Sequence, residues 1–587
     1  GRVQCVDCCS GGLGGRFNEH YRMSRFWFLA LLLFTGLLAC AAPPSVVMPS
    51  ATLPVATAFP SPTATETAVP PATATPIPTA LPTLPTSPTP PAGPQWQNPL
   101  DETLRETTVS HNATFHQLAP ENSSLWQYDP GSFWHPIALA MNDSTAFLLD
   151  GGRVLALDLV NGAPPHLLLQ PGDLVGDLPV QEPLDLALVG EHLLVQDRVG
   201  DVYGLDLATA VWQLERYERP IGETSSHYFV ALGHDAASSD RRLRLETSYG
   251  YGQYYFADGR QRLWELPETV LPVDVSGLDD KVYVLWRNAD GTATVALFQE
   301  TMRLAEFVPT ITITQPRQIV ATETAVYVLD MAGRRLLSLQ PQTGALQALF
   351  QLPEVSAFAG SRRGDQLLFA GRQRLFFWQQ PGNDRFVSGG PVLAAPQPHD
   401  TAVWQTEITY AWPISGDFLD LTPRDLQMPG APRHYRQGVH AGIDFYWCKG
   451  TTVYAAAAGT VIRATVDYET PAEITFNRRR AENLELGYTP PENLDFYRGR
   501  QIWILQADGL VARYAHLSEI AEGIVAGTAV TAGQQIGLIG NSGSPAAIDS
   551  ETADAHLHFE LWLDGHYLGQ FLRPIEIREL LERRFAP

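Results

Sequence analysis

The sequence has few basic residues for its length. Lys and Arg together number 40 against 63 Asp and Glu among 587 residues, which gives a formal net charge of −23. A protein that binds nucleic acid by neutralising phosphates needs a basic surface, and docking on anionic lipid needs a basic patch. The composition therefore predicts no nucleic-acid partner and no membrane binding through a basic surface.

Cysteine is also scarce, with five residues in the whole chain. No disulfide framework can be read from so few. Cys5, Cys8 and Cys9 form a CxxCC pattern that could be half of a metal site, but no second pair of ligands follows it. The alternative, that these three cysteines have no role in the mature protein, is favoured.

The apolar run Phe26–Leu38, which follows Met23 and Arg25, has only 13 residues. A membrane-spanning helix needs about 20, whereas this length suits the apolar core of a signal peptide. The run ends in the letters LLAC, which resemble the bacterial lipobox and indicate lipidation of Cys40; an ordinary signal peptide with an incidental cysteine is the alternative. Residues 1–22 are interpreted as a non-native upstream extension and 23–39 as a lipoprotein signal peptide. The expected location is outside the cytoplasmic membrane, anchored by lipid in the bacterial cell envelope.

Residues 40–94 are predicted to be an extended stalk. Sixteen of the 54 residues in 41–94 are proline, and Glu66 is the only charged residue among them. Such a segment cannot bury enough apolar surface to fold. It could hold a folded part of the chain away from a membrane, or it could be an inert linker.

The region 95–399 is rich in paired apolar strands separated by Gly or Asp turns. Six such pairs begin at Ala146, His192, Gln253, Val282, Val326 and Gln366, with gaps of 46, 61, 29, 44 and 40 residues. A mean period in the forties is typical of propeller blades. We predict a β-propeller-like domain of about six blades, with seven possible. It could be a spacer or a platform for a protein partner, or it could bind glycan.

The segment HLHFE near the C-terminus has the alternation of a strand that runs into a hairpin turn at Asp564-Gly565. Residues two apart share one face of a strand, so His556 and His558 point the same way. Leu557 and Phe559 are expected to point into the core. Two imidazoles on one face, flanked by these buried apolar residues, are costly without a partner, and a metal ion would supply one.

A second pattern, HxxxD, is formed by His440 and Asp444. This spacing places both side chains on one side of the chain, and Gly442 between them allows close backbone approach. Two histidines and one carboxylate make a three-ligand zinc set with an open position for water. Each pattern alone is weak evidence; their occurrence together, with YAHL between them, is specific.

In that order, these motifs resemble the lysostaphin/LytM zinc endopeptidases, which have the fold described as the duplicated hybrid motif. The resemblance covers Trp412–Pro574 within the domain expected at 400–587. It includes WPISG from Trp412, the run GTTVYAAAAGTV and the run AGQQIGLIGNSG. The expected architecture is all-β, with a propeller-like domain followed by a LytM-type β-sheet peptidase domain.

The resemblance implies one Zn²⁺ per chain, bound by His440, Asp444 and His558. It implies that His516 and His556 flank the metal and handle protons and the oxyanion. The implied activity is hydrolysis of peptide cross-links in bacterial peptidoglycan. Two alternatives are a catalytically silent regulator of another cell-wall hydrolase and a surface binding protein led by the propeller.

Two stretches depart from the family pattern, 467–500 and 545–555. Both are expected to be loops near the substrate groove. The first contains the basic triplet 478–480, which could meet an anionic substrate but is better explained as a solvated surface. Cys448 lies four residues after Asp444 and is expected to be a buried residue outside the ligand set, because a fourth protein ligand would close the metal site.

Overall fold

The computed structural model describes residues 114–117 and 135–585, apart from short gaps. The gaps are 160–164, 217–227, 236–240, 247–250, 257–260, 268, 310, 353–354, 372–374, 380–408, 415–424 and 564. The chain divides into two units at residue 81. The first unit, with the expected signal peptide, Cys40 and most of the stalk, lies outside the described residues. All described residues belong to the second unit.

The first part of the described chain forms six groups of four antiparallel strands. The strands of the first three groups are β2 (Pro136–Met141), β3 (Thr145–Asp150), β4 (Arg153–Asp158) and β5 (His166–Leu169); β8 (Pro183–Val189), β9 (His192–Asp197), β10 (Val202–Asp206) and β11 (Val211–Arg216); and β12 (Phe229–Asp235), β13 (Arg241–Glu246), β14 (Tyr251–Phe256) and β15 (Gln261–Glu265). The short hairpin β6 (Leu174–Val175) and β7 (Leu178–Pro179) connects the first two groups.

The other three groups follow in the same order along the chain. Their strands are β16 (Leu271–Leu278), β17 (Lys281–Arg287), β18 (Ala293–Gln299) and β19 (Met302–Phe307); β20 (Pro316–Ala321), β21 (Val326–Asp330), β22 (Arg335–Leu339) and β23 (Leu346–Gln351); and β24 (Ala357–Gly360), β25 (Gln366–Ala370) and β26 (Leu375–Gln379), joined by β1 (Thr114–Gln117).

These sheets are arranged as blades around a ring. The first strands of neighbouring sheets contact one another in the cycle β2, β8, β12, β16, β20, β24 and back to β2. Strand β1, which precedes the first blade in sequence, pairs antiparallel with β26 and so completes the last one. The prediction of a propeller-like region in an all-β chain is confirmed.

Burial explains why the blade strands appear in the sequence as apolar runs. Every residue of β2, β8 and β20 is buried, because inner strands are covered by the neighbouring blade on each face. The outermost strand β19 is largely exposed. Side chains also join the blades: Asp185 accepts a hydrogen bond from the Leu232 amide of the next blade at 2.8 Å, and Asp274 does the same for Ile319 at 2.8 Å.

The C-terminal part is built on two further sheets. Its strands are β27 (Pro432–Arg433), β28 (Gly438–Val439), β29 (Ile443–Tyr446), β30 (Thr452–Tyr454), β31 (Gly459–Ala464), β32 (Ile502–Leu505), β33 (Val511–Ala515), β34 (Leu517–Ile520), β35 (Ala529–Val530), β36 (Gln535–Ile539), β37 (His556–Leu563) and β38 (His566–Tyr567). The larger sheet has the order β29-β37-β33-β32-β31-β35, with β38 paired to β37, and the smaller has the order β30-β36-β34. Leu557 and Phe559 of β37 lie in the core that fills the space beside these sheets.

Three helices complete this part: α1 (Glu473–Leu486), α2 (Pro491–Arg498) and α3 (Pro574–Arg584). The prediction that 467–500 is a loop was therefore wrong, because most of this insertion is the helical pair α1 and α2. The second insertion, 545–555, is a loop with one 3₁₀ turn at Pro545–Ile548. Within the described part of the chain, no helix has the length and apolar character needed to cross a membrane.

The segment that leads into α3 joins the two parts. Arg573 is 2% exposed and donates to the Ile137 carbonyl of β2 at 2.8 Å. Its guanidinium also lies 3.1 Å from Asp185 and 3.6 Å from Asp274, on the first strands β8 and β16. The C-terminal part thus places one arginine against the inner strands of three different blades.

Candidate metal centre and active site

Two neighbouring strands bring the two sequence motifs together. Strand β29 pairs antiparallel with β37, and the register sets Asp444 directly opposite His558 and Tyr446 opposite His556. His440 lies just before β29, where its amide is held by the Ala431 carbonyl at 2.7 Å. The HxxxD and HLH motifs, more than a hundred residues apart in sequence, are therefore side by side.

His440, Asp444 and His558 converge on one point and are all buried. His440 Nε2 lies 2.9 Å from Asp444 Oδ1 and 2.9 Å from His558 Nδ1, and His558 Nδ1 lies 2.7 Å from Asp444 Oδ1. Within the described ranges, this is the group of His, Cys, Asp and Glu side chains with ligand atoms close enough to share a metal ion.

The hydrogen bonds behind these ligands fix which atoms face the centre. His440 Nδ1 lies 2.9 Å from the Met428 carbonyl, so that nitrogen carries the proton and Nε2 presents a lone pair. His558 Nε2 lies 2.7 Å from Glu560 Oε1, so in the neutral imidazole a lone pair remains on Nδ1. Burial would lower the pKa of His558, but its hydrogen bonds to Asp444 and Glu560 raise it, so a proton on Nδ1 is the alternative to a metal ion at this point. Three acceptor atoms therefore face one another at 2.7–2.9 Å. A cation relieves this repulsion, and the donor set of two imidazoles and one carboxylate suits zinc.

Burial keeps His440 in the neutral form that a metal needs. It lowers the pKa of His440 to about 3, and the positive charge of Arg433 adds to this effect. Burial alone would raise the pKa of Asp444, but His440 and His556 hold that pKa well below its usual value. The neutral imidazole and the ionised carboxylate are the ligand forms that bind metal ions.

Arginines neutralise the carboxylates around the centre. Arg433 donates to Asp444 Oδ2 at 2.8 Å, on the side away from the histidines. Arg498 donates to both oxygens of Glu560 at 2.9–3.1 Å. Burial would raise the pKa of Glu560, but the Arg498 guanidinium and His558 hold it well below its usual range. Glu560 is therefore an ionised carboxylate, and it accepts a hydrogen bond from His558 Nε2.

His516 and His556 lie beside the ligand set. Their ring centroids are 4.6 Å apart, and the His516 ring is 5.5 Å from that of His558. His516 Nδ1 lies 2.7 Å from the Ser542 carbonyl, and His556 Nδ1 lies 2.6 Å from the Asp554 carbonyl. Both rings therefore carry the proton on Nδ1, and Nε2 is the nitrogen able to accept a further proton.

The backbone at His516 is unusual, with a φ of 60° in the left-handed region. A histidine in that conformation is uncommon and persists where the surroundings hold it. Its amide donates to the Arg498 carbonyl at 3.0 Å. The end of α2 thus helps to hold His516 beside the metal ligands.

Gly442 is required by close packing. A Cβ atom at this position would lie 2.4 Å from the Phe559 carbonyl oxygen and 3.0 Å from His558 Cε1. Any side chain would push β29 away from the strand that carries two of the histidines. The expectation that this glycine allows close backbone approach agrees with the structure.

Sequence reasoning gave no role to several residues at the centre. Glu560 could have been found, because it shares the strand face of His556 and His558 at the same two-residue spacing. Arg433 and Arg498 carried no such signal. Cys448 is half-buried rather than buried, and the convergent ligand group does not include it.

Two other histidines of this part and the basic triplet lie outside the centre. His434 Nε2 lies 2.6 Å from the Val199 carbonyl of the propeller, and His566 lies near Gln570 and Phe571. In the basic triplet of α1, Arg478 is exposed and Arg479 donates to Asn493 at 2.5 Å.

The part of the chain that contains this site matches a known protein family. Residues 438–569, which include all five histidine and aspartate candidates, match Peptidase family M23. The C-terminal part thus contains an M23-type domain. The match to a peptidase family supports peptidase activity for this domain. The comparison with curated protein sequences gave no match.

Several solved structures are similar to the chain at low identity. One is a gluconolactonase from Xanthomonas campestris, with 14% identity and a TM-score of 0.35, covering 50% of this chain and 99% of that one. Another is a streptogramin B lyase, with 13% identity and a TM-score of 0.32, covering 46% and 97%. A third is BamB from Moraxella catarrhalis, with 13% identity and a TM-score of 0.29, covering 46% and 93%.

Proposed function

We propose that this chain is a zinc-dependent endopeptidase that hydrolyses peptide cross-links of bacterial peptidoglycan. The observation that carries the proposal is the convergence of three acceptor atoms, from His440, Asp444 and His558, inside a domain that matches a peptidase family. Either a proton or a metal ion between three buried acceptors relieves their repulsion, and two histidines with one carboxylate are the ligand set of catalytic zinc sites, which favours the metal ion.

The bound Zn²⁺ would polarise the scissile carbonyl and lower the pKa of its water to about 7. The three ligands leave a coordination position for that chemistry. The hydrogen bonds from Arg433 to Asp444 and from His558 to Glu560 keep the ligands oriented.

His516 and His556 move the protons of the reaction. Hydrolysis adds water across the amide, so the proton lost by the attacking water must reach the departing nitrogen. One of the two histidines accepts it on Nε2, since Nδ1 of each is already committed to a carbonyl. The same histidine then gives this proton to the departing nitrogen. The other histidine would donate to the oxygen that becomes negative at the carbonyl carbon in its imidazolium form, which carries a proton on Nε2 as well as on Nδ1. No covalent intermediate is part of this proposal.

The substrate surface and the location are proposed from features outside the centre. The half-exposed Tyr446 stacks on His556 at 4.7 Å, and Trp447 beside it is exposed, so apolar surface borders the site. Lipid attached to Cys40 would hold the enzyme in the cell envelope, with residues 41–94 as the spacer. The propeller is proposed as a rigid support that can also carry a protein or glycan partner.

The test is digestion of purified peptidoglycan by the full chain, with mass spectrometry of the released fragments. We expect loss of cross-linked fragments that requires zinc, stops with chelator and is abolished in His558→Ala. His566→Ala is the matched control, because His566 lies on the adjoining strand β38 outside the centre, and it should keep full activity. The masses of the products would identify the bond that is cut.

Two further variants separate metal binding from proton transfer. His516→Ala and His556→Ala should keep one zinc per chain and lose most activity. Full activity in His556→Ala at normal zinc content would show that the proposed division of roles between ligands and proton carriers is wrong. A zinc-loaded chain that cuts none of several wall types would exclude the enzyme and leave a regulatory or binding role.

A further inference from the structure

A row of polar and aromatic side chains crosses the large sheet and ends at the metal centre. Arg463, Trp503, Arg513 and Glu560 stand directly opposite one another on β31, β32, β33 and β37. The Trp503 ring lies between the two arginines, with centroid distances of 4.8 Å to Arg463 and 4.0 Å to Arg513. The last member, Glu560, holds the metal ligand His558.

Helix α2 of the insertion is fixed to both ends of this row. At the far end, Asp495 accepts from Arg463 at 2.7 and 2.9 Å through its two oxygens. At the metal end, Arg498 Nε and Nη2 donate hydrogen bonds to the Glu560 carboxylate. The two ion pairs differ in burial: Arg498 and Glu560 are 4% and 1% exposed, whereas the Arg463 and Asp495 side chains are more than a third exposed.

The end of α2 also reaches the second group of functional histidines. The Arg498 carbonyl accepts from the His516 amide at 3.0 Å. The Ser542 carbonyl accepts from His516 Nδ1, and the Ser542 Oγ accepts from the Arg500 amide at 2.9 Å. One short stretch, 498–500, therefore contacts the surroundings of both a proposed ligand and a proposed proton carrier.

We propose that Arg498 is a positioning residue of the metal centre, which acts on His558 through Glu560 and makes the inserted helical pair 467–500 part of that centre. The guanidinium fixes both oxygens of Glu560, so one of them stays in line with His558 Nε2. That bond holds the ring orientation and keeps the lone pair of Nδ1 directed at the ligand point. The inference rests on the proposed metal, not on peptide hydrolysis.

A purely structural role for Arg498 is the competing explanation, and Arg463 provides the matched control. Arg463→Ala removes an equally bidentate ion pair to the same helix but leaves Glu560 untouched. The measurement is the zinc dissociation constant of the full chain, by competition with a chelating dye. Loss of an outer-shell partner typically weakens metal binding about 10- to 100-fold. Glu560 is that partner and Arg498 acts through it, so we expect at most about tenfold for Arg498→Ala, and less than about threefold for Arg463→Ala, which contacts neither His558 nor Glu560.

The path through Glu560 is tested by a double-mutant cycle. In a Glu560→Gln background, Arg498→Ala should add little further loss of zinc affinity, because the group it orients is already changed. Arg498→Lys, which keeps the charge but loses the paired contact, should recover part of the affinity. The d–d absorption spectrum of the cobalt-substituted protein should shift in Arg498→Ala and not in Arg463→Ala.

Equal zinc constants for Arg498→Ala and Arg463→Ala would overturn the proposal, as would full additivity with Glu560→Gln. If Arg498→Ala does not fold, the same cycle is run with Arg498→Lys. Failure of this proposal is distinguishable from failure of the proposed function. A chain that shows these zinc effects yet cuts no peptidoglycan would contradict only the peptidase.

Discussion

Two buried charge clusters in this molecule differ in how their charges are balanced. In the propeller, Arg573 lies between Asp185 and Asp274, so one cation faces two carboxylates. Burial raises the pKa of Asp274 to about 7, although Arg573 acts to lower it. In the M23-type domain, His440, Asp444 and His558 turn three acceptors toward one point. The first cluster contains a cation of its own, whereas His440, Asp444 and His558 supply none in their neutral-imidazole and carboxylate forms. The comparison shows that donor and acceptor balance, rather than burial, distinguishes a ligand site from a structural ion cluster.

The largest expected effect is the loss of unfolding free energy when Arg573, the cation between Asp185 and Asp274, is removed. Arg573→Ala would leave Asp185 and Asp274 buried without their counter-charge, which typically costs about 3–5 kcal/mol. Denaturant unfolding of the full chain measures this free energy. Arg583→Ala, at an exposed position of the same helix, should change it by less than about 0.5 kcal/mol. A cost below about 1 kcal/mol for Arg573→Ala would mean that this cluster does not hold the two parts together.

The cluster of His440, Asp444 and His558 should respond differently to the loss of one member. His558→Ala removes one of three facing acceptors but also the buried hydrogen bond to Glu560, so the two effects oppose each other and the metal-free variant should differ little in stability from the parent. Zinc at 100 times its dissociation constant should stabilise the parent by about 2.7 kcal/mol and the variant hardly at all. Unfolding curves with chelator and with zinc give both numbers. A metal-free His558→Ala that is markedly less stable would show that the three side chains form a structural network instead.

The contact between the two parts is expected to depend on pH through Glu182. This residue lies between Arg198 at 3.4 Å and the Tyr567 hydroxyl at 2.6 Å. Burial raises the pKa of Glu182 from 4.5 to about 7, although Arg198 and Tyr567 act to lower it. The folded state therefore keeps a proton that the unfolded state has already lost. The free energy of unfolding should fall as the pH rises from about 4.5 to about 7, by at most about 1.4 kcal/mol per pH unit.

Glu182→Gln isolates that contribution, because the neutral amide has no proton to lose in this range. The difference in unfolding free energy between the parent and the variant should change between pH 5 and pH 7 and stay constant above the upper pH of that window. Parallel curves at every pH would show that Glu182 is ionised in the folded protein throughout.

Features that depend on residues close together in sequence were predicted, and features that depend on contacts between distant residues were not. Propeller strands were predictable because short antiparallel pairs alternate with turns. The uneven gaps of 61 and 29 residues have a local cause: the pair that begins at Gln253 is the third and fourth strand of its blade, whereas the others are the second and third. The ligand set was accessible because each half of it lies within five residues of sequence.

The helical insertion and the arginines were not accessible in the same way. Helix α1 buries only Phe476 and Asn483, so its apolar spacing gives no helical signal. Arg498 is 62 residues from Glu560, and Arg573 is 388 residues from Asp185. No periodicity in one sequence relates such positions, because the fold alone brings them together.

The smallest expected effect tests whether the two clusters are coupled. The Tyr228 hydroxyl of the propeller donates to the Pro429 carbonyl at 2.8 Å, and the adjacent Met428 carbonyl accepts from His440, a proposed metal ligand. Tyr228→Phe leaves a buried carbonyl without that donor and should cost about 0.5–1.5 kcal/mol of unfolding free energy. Zinc affinity should fall by less than the roughly tenfold loss typical of a direct outer-shell partner, since Tyr228 acts one residue further out. A matched zinc titration of Tyr283→Phe, whose hydroxyl bonds within the propeller to Pro341, provides the control. If both variants bind zinc alike, the propeller stabilises the M23-type domain without adjusting its metal centre, and the difference between the clusters is purely local.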